Sequence, residues 1–325
     1  MSAGSAPSLE QPESRPPTTA KPAARNRARV IFSFGATWFT WGVTYLAIHY
    51  AVETIPPLFA AGFRHLTAGT ILTAWCLYKG LRPTRQQIKA SLIIGAFFFL
   101  GGHGSLHWAE TRIPSGLASL MVASEPIWVF LMICAVTRSW KMKPALLAGC
   151  LLGLAGVALL LRGTILAAGP KIFEGAAITL FGAVSWGAGV VYSRRSHLSG
   201  HPLLLSALSL LAGAGFLITV GTILGEWHGF SLANVSLRSW GGFAFLTIFG
   251  SLVTFTAYNW LLERYPPTVV TTHTFINPVV AVLVGWLWAG ESLSVSTAIS
   301  AAMVIGAVIL VERGSPPMAV AAEEG

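Results

Sequence analysis

The chain has no aspartate. Its 12 acidic residues are all Glu, and charged side chains of both signs make up only 10% of 325 residues. Soluble domains carry about 25%, so an ordinary water-facing globular surface is excluded. Cysteine is scarce as well. Cys76, Cys134 and Cys150 lie inside apolar runs at unrelated spacings, which argues against a disulfide framework or a metal site and leaves small packing residues. The chain also lacks a P-loop, a dinucleotide glycine motif and H-E-x-x-H, so ATP-driven, hydride-transfer and zinc-peptidase chemistry have no foothold. An intramembrane serine protease would want G-x-S-G, and only "IPSG" (Ile113–Gly116) and "GHGS" (Gly102–Ser105) occur. No enzyme and no cofactor is expected.

What the chain does have is length in apolar runs. It is 54% hydrophobic with a mean hydropathy of +0.67, and runs of roughly 20 apolar residues, enough for a ~30 Å hydrocarbon core, recur along it. The expected spans are ten: 31–50, 58–78, 90–108, 114–136, 144–162, 173–192, 203–224, 240–262, 267–289 and 294–312. The breaks "ETIPP", "AETRIP" and "ERYPP" read as turns. Residues 1–30, rich in Pro, Ala, Ser and Arg, read as a disordered tail, and 313–325 as a second tail. The first apolar run is long enough to span and has no cleavage-like end, so a signal peptide is not expected.

The net charge of +9 is a topology signal rather than a nucleic-acid surface. With the N-terminus inside, the inner segments hold Arg15, Lys21, Arg25, Arg27, Arg29, Lys79, Arg82, Arg85, Lys89, Arg138, Lys141, Lys143, Arg194, Arg195, Arg264 and Arg313. The outer segments hold only Arg112, Arg162, Lys171 and Arg238. That is sixteen against four, and Arg64, inside a span, completes the 21. The positive-inside rule then puts both termini in the cytoplasm.

The chain echoes itself. "WAETRIPSGLASLMVASEPIWVFL" from Trp108 lies over "WLLERYPPTVVTTHTFINPVVAVL" from Trp260 at a shift of 152 residues without a gap. Trp108 meets Trp260, Arg112 meets Arg264, Pro114 meets Pro266, Pro126 meets Pro278 and Leu131 meets Leu283, while Glu125 falls opposite Asn277. A second echo sets "TWGVTY" (Thr40–Tyr45) against "SWGAGV" (Ser185–Val190). Five spans in each half is an odd number, so the halves cross in opposite directions, the inverted repeat of secondary transporters with a site near the midplane. The expected fold is therefore an all-α membrane protein of ten transmembrane helices in two inverted five-helix repeats, 31–162 and 173–312.

"WGVTYLAIHYAVETIPPLFAAGFRHLTAG" (Trp41–Gly69), "WAETRIPSGLASLMVASEPIWVFLM" (Trp108–Met132), "SWGAGVVYSRR" (Ser185–Arg195) and "INPVVAVLVGWLWAGESLS" (Ile276–Ser294) together resemble the EamA-type branch of the drug/metabolite transporter superfamily. The resemblance covers about 30–313. It implies two inverted five-helix halves, export of amino acids or similar small metabolites, and a cavity lined by the first, third and fourth helices of each half. The function expected is secondary export across a bacterial inner membrane by alternating access. The alternatives are an uncoupled facilitator, an importer of another metabolite, or a non-transporting membrane protein.

Glu125 is the leading site candidate, as a carboxylate for an ammonium group or a coupled proton, against a bland role bridging helices. Asn277 and His273 share one face of span 9 and are its partners from the other half, as substrate ligands or as interhelical hydrogen bonds. His103 and His107 stand at i and i+4, His103 reading as cavity lining and His107 as part of a wet outer mouth. With no third ligand nearby, no metal site is expected. Trp41, Tyr45 and Trp186 read as cavity-lining aromatics or as packing. Arg64, beside His65, is expected to snorkel or to pair with Glu53 or Glu110, and Glu291 to start span 10. Gly149, Gly153, Ala298, Ala302 and Gly306 form small-residue faces for contacts within one chain or in a homodimer. The expected partners are a small-molecule substrate, a proton and membrane lipid, with no nucleic acid.

Overall fold

The structure, a computed structural model, describes residues 24–138, 144–168, 170–195, 201–262, 273–291 and 293–314. Most of the N-terminal tail, the end of the C-terminal tail and the 263–272 part of the internal echo, with Arg264 and Pro266, lie outside the described residues. Among those residues the fold is helical throughout, without strands. Its rods are α1 (Arg27–Ala51), α2 (Pro57–Tyr78), α3 (Arg85–Ala109), α4 (Ser115–Val136), α5 (Pro144–Ala168), α6 (Pro170–Arg195), α7 (Pro202–Ile223), α8 (Leu237–Tyr258), α9 (His273–Ala289) and α10 (Val295–Gly314). Six described helices, in α1, α3, α4, α6, α7 and α8, are long and apolar enough to cross a membrane, and α5, α9 and α10 contain shorter apolar helices.

Local chemistry sets the starts. Proline opens α2, α5, α6 and α7, where its missing N–H costs nothing and its fixed φ suits the first turn. Thr84 and Gln87 form a reciprocal capping box at the start of α3, with bonds of 3.2 and 2.9 Å. Two starts are capped from far along the chain. Leu58 and Phe59 N–H donate to the Glu226 carboxylate at 3.1 and 3.0 Å. Ser115 N–H and Oγ–H donate to Glu291 at 2.8 and 2.6 Å, and Gly116 N–H at 2.9 Å. Glu291 is thus the cap of α4 rather than the start of α10. Gly290, at φ +66°, ends α9 and turns the chain so that Glu291 reaches across.

The rods pack in a pattern that repeats every five helices. α2 lies along α7 and α5 along α10; α1 packs on α8 and α9, and α6 on α3 and α4; α4 also meets α9. The small residues of α5 and α10 are used inside the chain, where Gly153 faces Ala307 and Gly156 faces Met303 and Val304. Wide π turns interrupt α1 at Ala36–Thr40, α3 at Gly95–Gly104 and α8 at Leu246–Val253. Such turns rotate the helix face and free backbone groups, and they recur at functional positions. Trp75, Tyr78, Phe181, Trp286 and Trp288 point outward, as a lipid-facing surface requires. The chain is an integral membrane protein.

α4 departs from the regular helix expected of it. Its segments Ser115–Val122 and Glu125–Thr137 are separated at Ala123–Ser124. Pro126 therefore sits in the first turn of the second segment, where proline is tolerated, while Pro278 lies inside α9.

Both long-range caps are testable. Glu291→Ala removes the acceptor for three donors of α4 and is expected to destabilise the protein by about 1–2 kcal/mol in thermal unfolding. Glu226 lies in the loop between α7 and α8, and burial pushes its carboxyl above the usual carboxylate range, with the bonds from Leu58 and Phe59 pulling back. A raised folded-state pKa means stability that is full below the unfolded value, about 4.3, and is lost as pH rises through the folded one. Glu226→Gln is expected to flatten that decline in melting temperature, and an unchanged pH slope would contradict the assignment.

Candidate functional site

Two polar-aromatic clusters occupy corresponding places in the two halves. In the first, Trp41 of α1 donates its indole N–H to the Gly250 carbonyl of α8 at 3.1 Å, a carbonyl within the π turns. Its ring meets Phe255, Tyr258 and His273 at centroid separations of 5.7, 5.2 and 4.7 Å. Asn277 is buried one turn along α9 from His273. The hydrogen-bonding pattern orients its amide so that nitrogen donates to the Trp38 carbonyl at 2.9 Å and the His273 carbonyl at 3.1 Å. This contact needs Gly42, because a Cβ there would stand 2.5 Å from Val280. The structure thus brings together Trp41, His273 and Asn277, adding Tyr258 and Phe255 to them.

In the second cluster, Trp186 of α6 stacks on Phe98 of α3 at 4.4 Å and 20° and meets His103 at 5.0 Å. The 152-residue shift carries Phe98 to Gly250 and His103 to Phe255, so each tryptophan meets the same two helix positions of the opposite half. Gly102 leaves room for Trp186, whose ring would lie 2.8 Å from a Cβ there.

His103 belongs to a chain of buried polar groups. Its Nδ1 is 3.2 Å from Arg64 Nη2 and 2.9 Å from His65 Nε2, and the rings of His65 and His103 stack at 4.9 Å. A guanidinium only donates, so Nδ1 of His103 is the acceptor and its proton sits on Nε2. His65 then donates from Nε2, and its Nδ1 has no hydrogen-bond partner. His107 donates from Nδ1 to the His103 carbonyl at 2.7 Å, leaving its Nε2 without one.

Two placements differ from the sequence reading. His107 is fully buried, not part of a wet mouth, because the end of α3 is covered by α2 and α6. Arg64, 3% exposed, does not snorkel. It turns toward α3, and Glu53 pairs instead with Arg238 at 3.2 Å. Among the described residues there is no group of three or more His, Cys or Glu set to hold a metal ion.

Glu125 is half-buried at the α4 break, where Trp128 donates to Ser124 Oγ at 3.0 Å and Ser124 to the Met121 carbonyl at 2.6 Å. Tyr45, one turn beyond Trp41, packs against the apolar cluster that includes Ile48 and Leu106. Glu110, which the sequence offered only as a possible partner of Arg64, is the other buried acid nearby. It is 1% exposed, and neither of its oxygens has a hydrogen-bond partner. Beside it is a cavity of about 340 Å³ lined by His49, Glu110, Arg112, Ile172 and Glu291 among others.

These clusters carry a direct test. His103→Phe removes the acceptor of a buried guanidinium and is expected to cost about 3 kcal/mol or more, read as loss of folded protein after detergent extraction. His103→Gln keeps an acceptor and should restore it.

The model of the EamA-like transporter family matches this sequence twice, at residues 29–162 and 174–313. The Uncharacterized inner membrane transporter YedA of Escherichia coli is 35% identical over 287 residues, covering 86% of this chain and 89% of its own. Protein PecM of Dickeya dadantii is 27% identical over 281 residues, covering 84% and 88%. The Uncharacterized transporter YoaV of Bacillus subtilis is 23% identical over 279 residues, covering 85% and 94%. A solved crystal structure aligns with a TM-score of 0.59 at 20% identity, covering 87% of this chain and 97% of that one, a likeness of fold alone.

Proposed function

The chain belongs to the EamA-like transporter family, and from that premise we propose that it is a proton-coupled secondary exporter of amino acids or similar small metabolites. Its ten rods would form two inverted five-helix halves, 31–162 and 173–312, that rock about a site near the midplane. The observation that carries this reading is the packing pattern: the contacts of α1 with α8 and α9 recur as those of α6 with α3 and α4. The matched tryptophans Trp41 and Trp186, and the π turns of α3 and α8, support it further.

In this reading Glu125 offers negative charge to a substrate ammonium group or to the coupled proton, from the break in α4. Trp41, Tyr45 and Trp186 shape the apolar part of the site, and His103, His273 and Asn277 supply its hydrogen bonds. The positive-inside pattern puts both termini in the cytoplasm, and the relatives named as bacterial transporters favour an inner membrane.

The test compares small molecules released by cells expressing wild type, Glu125→Gln or an empty vector at matched expression. Enrichment of a defined set of amines or amino acids by wild type is expected, with a roughly tenfold or greater loss in Glu125→Gln. Equal release from wild type and mutant would make Glu125 structural. Release no greater than the vector's would overturn export and direct the work to uptake.

A further inference from the structure

Glu110 is a carboxyl the sequence disguises as a turn residue, and three observations converge on it. First, it stands at the end of α3 with both oxygens closed to solvent and without a hydrogen-bond partner. A carboxylate in that position would be offset by the Arg64 charge and the His49 backbone amide, but burial and the Glu291 charge outweigh them, so the neutral form is favoured. Second, it forms part of the wall of the 340 Å³ cavity shared with His49 and Glu291, which gives a released proton a route to water at the end of the bundle where α1 and α3 finish. Third, the cation whose charge reaches it is Arg64, and that guanidinium is engaged elsewhere. Arg64 donates to His103, while its own Nε–H has no acceptor.

These groups are mismatched in a specific way. A donor without an acceptor and a carboxyl without a donor lie within electrostatic reach of each other on α2 and α3, and both are buried. We propose that Glu110 is a proton-binding site with Arg64 as its exchangeable counter-ion: when the proton leaves for cavity water, the guanidinium moves from His103 toward the carboxylate. Neutral Glu110 leaves Arg64 holding α2 to α3 through His103, next to Trp186. Ionised Glu110 draws Arg64 away and loosens that contact, so that protonation at one end of the bundle is felt at the ring cluster. The inference deepens the proton-coupled reading and rests on it for its role in transport.

The other groups facing Glu110 are consistent with this exchange. From α1 come Tyr45 and His49, whose Nδ1 lies 3.3 Å from the Glu110 carbonyl and whose backbone amide favours the ionised carboxyl. The Glu291 charge opposes ionisation, but its oxygens are committed to the start of α4. Arg112 follows in the same turn and is taken by Glu174 of α6 at 3.3 Å, and Lys171 of α6 is exposed. On α3 and α2, His107 and His65 carry their protons toward other partners. Among the described residues, Arg64 is left as the cation that could exchange its present partner for this carboxylate.

The test is infrared titration of the full-length protein in lipid bilayers. A protonated-carboxyl carbonyl component that survives above the range in which exposed carboxylates titrate should vanish as pH rises further in wild type and in Glu125→Gln, and be missing from that higher range in Glu110→Gln, which is isosteric with the neutral acid and should fold. In Arg64→Gln the midpoint should move to higher pH by about one unit or more, whereas Arg64→Lys, keeping a cation, should stay nearer wild type. A band unaffected by Glu110→Gln would overturn the site. A midpoint unmoved in a folded Arg64→Gln would overturn the counter-ion exchange. Export that ignores an imposed pH gradient would overturn the coupled reading without altering the Glu110 titration, so the two failures are distinguishable.

Discussion

A guanidinium buried in an apolar bundle has to be answered from within it, and much of this structure follows from how Arg64 is answered. Its partner is the Nδ1 of His103, a neutral acceptor whose tautomer is fixed by that contact. The same atom accepts from His65, and the His103 carbonyl accepts from His107, so one cation organises polar groups on two helices. The π turns of α3 end at Gly104, directly after His103, and set the face on which these rings meet Trp186. A change at Arg64 would therefore be felt through α2, α3 and α6 together.

The opposite half meets the same constraint without a charge. Where α3 has Phe98 and His103, α8 has Gly250 and Phe255, and Trp41 hydrogen-bonds to a carbonyl instead of stacking on a ring. Asn277 ties α9 to α1 through backbone carbonyls. Around Trp41 the described contacts are indole and amide hydrogen bonds to carbonyls and ring contacts, while around His103 stand a cation, two further imidazoles and, farther along α3, a carboxyl without a hydrogen-bond partner.

Much of this was legible in the sequence because membrane burial is written in composition. Apolar length gave the rods, prolines gave their starts, and the second, shorter echo set Trp41 against Trp186, each of which meets rings on a neighbouring helix. Features that depend on distant contacts were not legible. Glu226 and Glu291 sit in loops more than 160 residues from the helices they cap, and no local pattern announces such a pairing. The π turns leave no mark on an all-apolar stretch such as "GAFFFL". Glu110 stood out only as a possible partner of Arg64, because "AETRIP" has turn chemistry, and only the packing around it shows the burial. Arg64-His65 was visible as an oddity, but its partner depended on which way α2 faces.

The central claim is that the region between the ring clusters is reached by water and substrate from alternate sides of the membrane. The most direct measurement places a single cysteine at Tyr45, in a background lacking Cys76, Cys134 and Cys150, and follows its reaction with a membrane-impermeant thiol reagent. Right-side-out and inside-out vesicles would report the two faces separately. The account predicts labelling from both faces, slowed by an exported compound and shifted in balance by a pH gradient. A cysteine there that reacts from neither face in folded protein would contradict it.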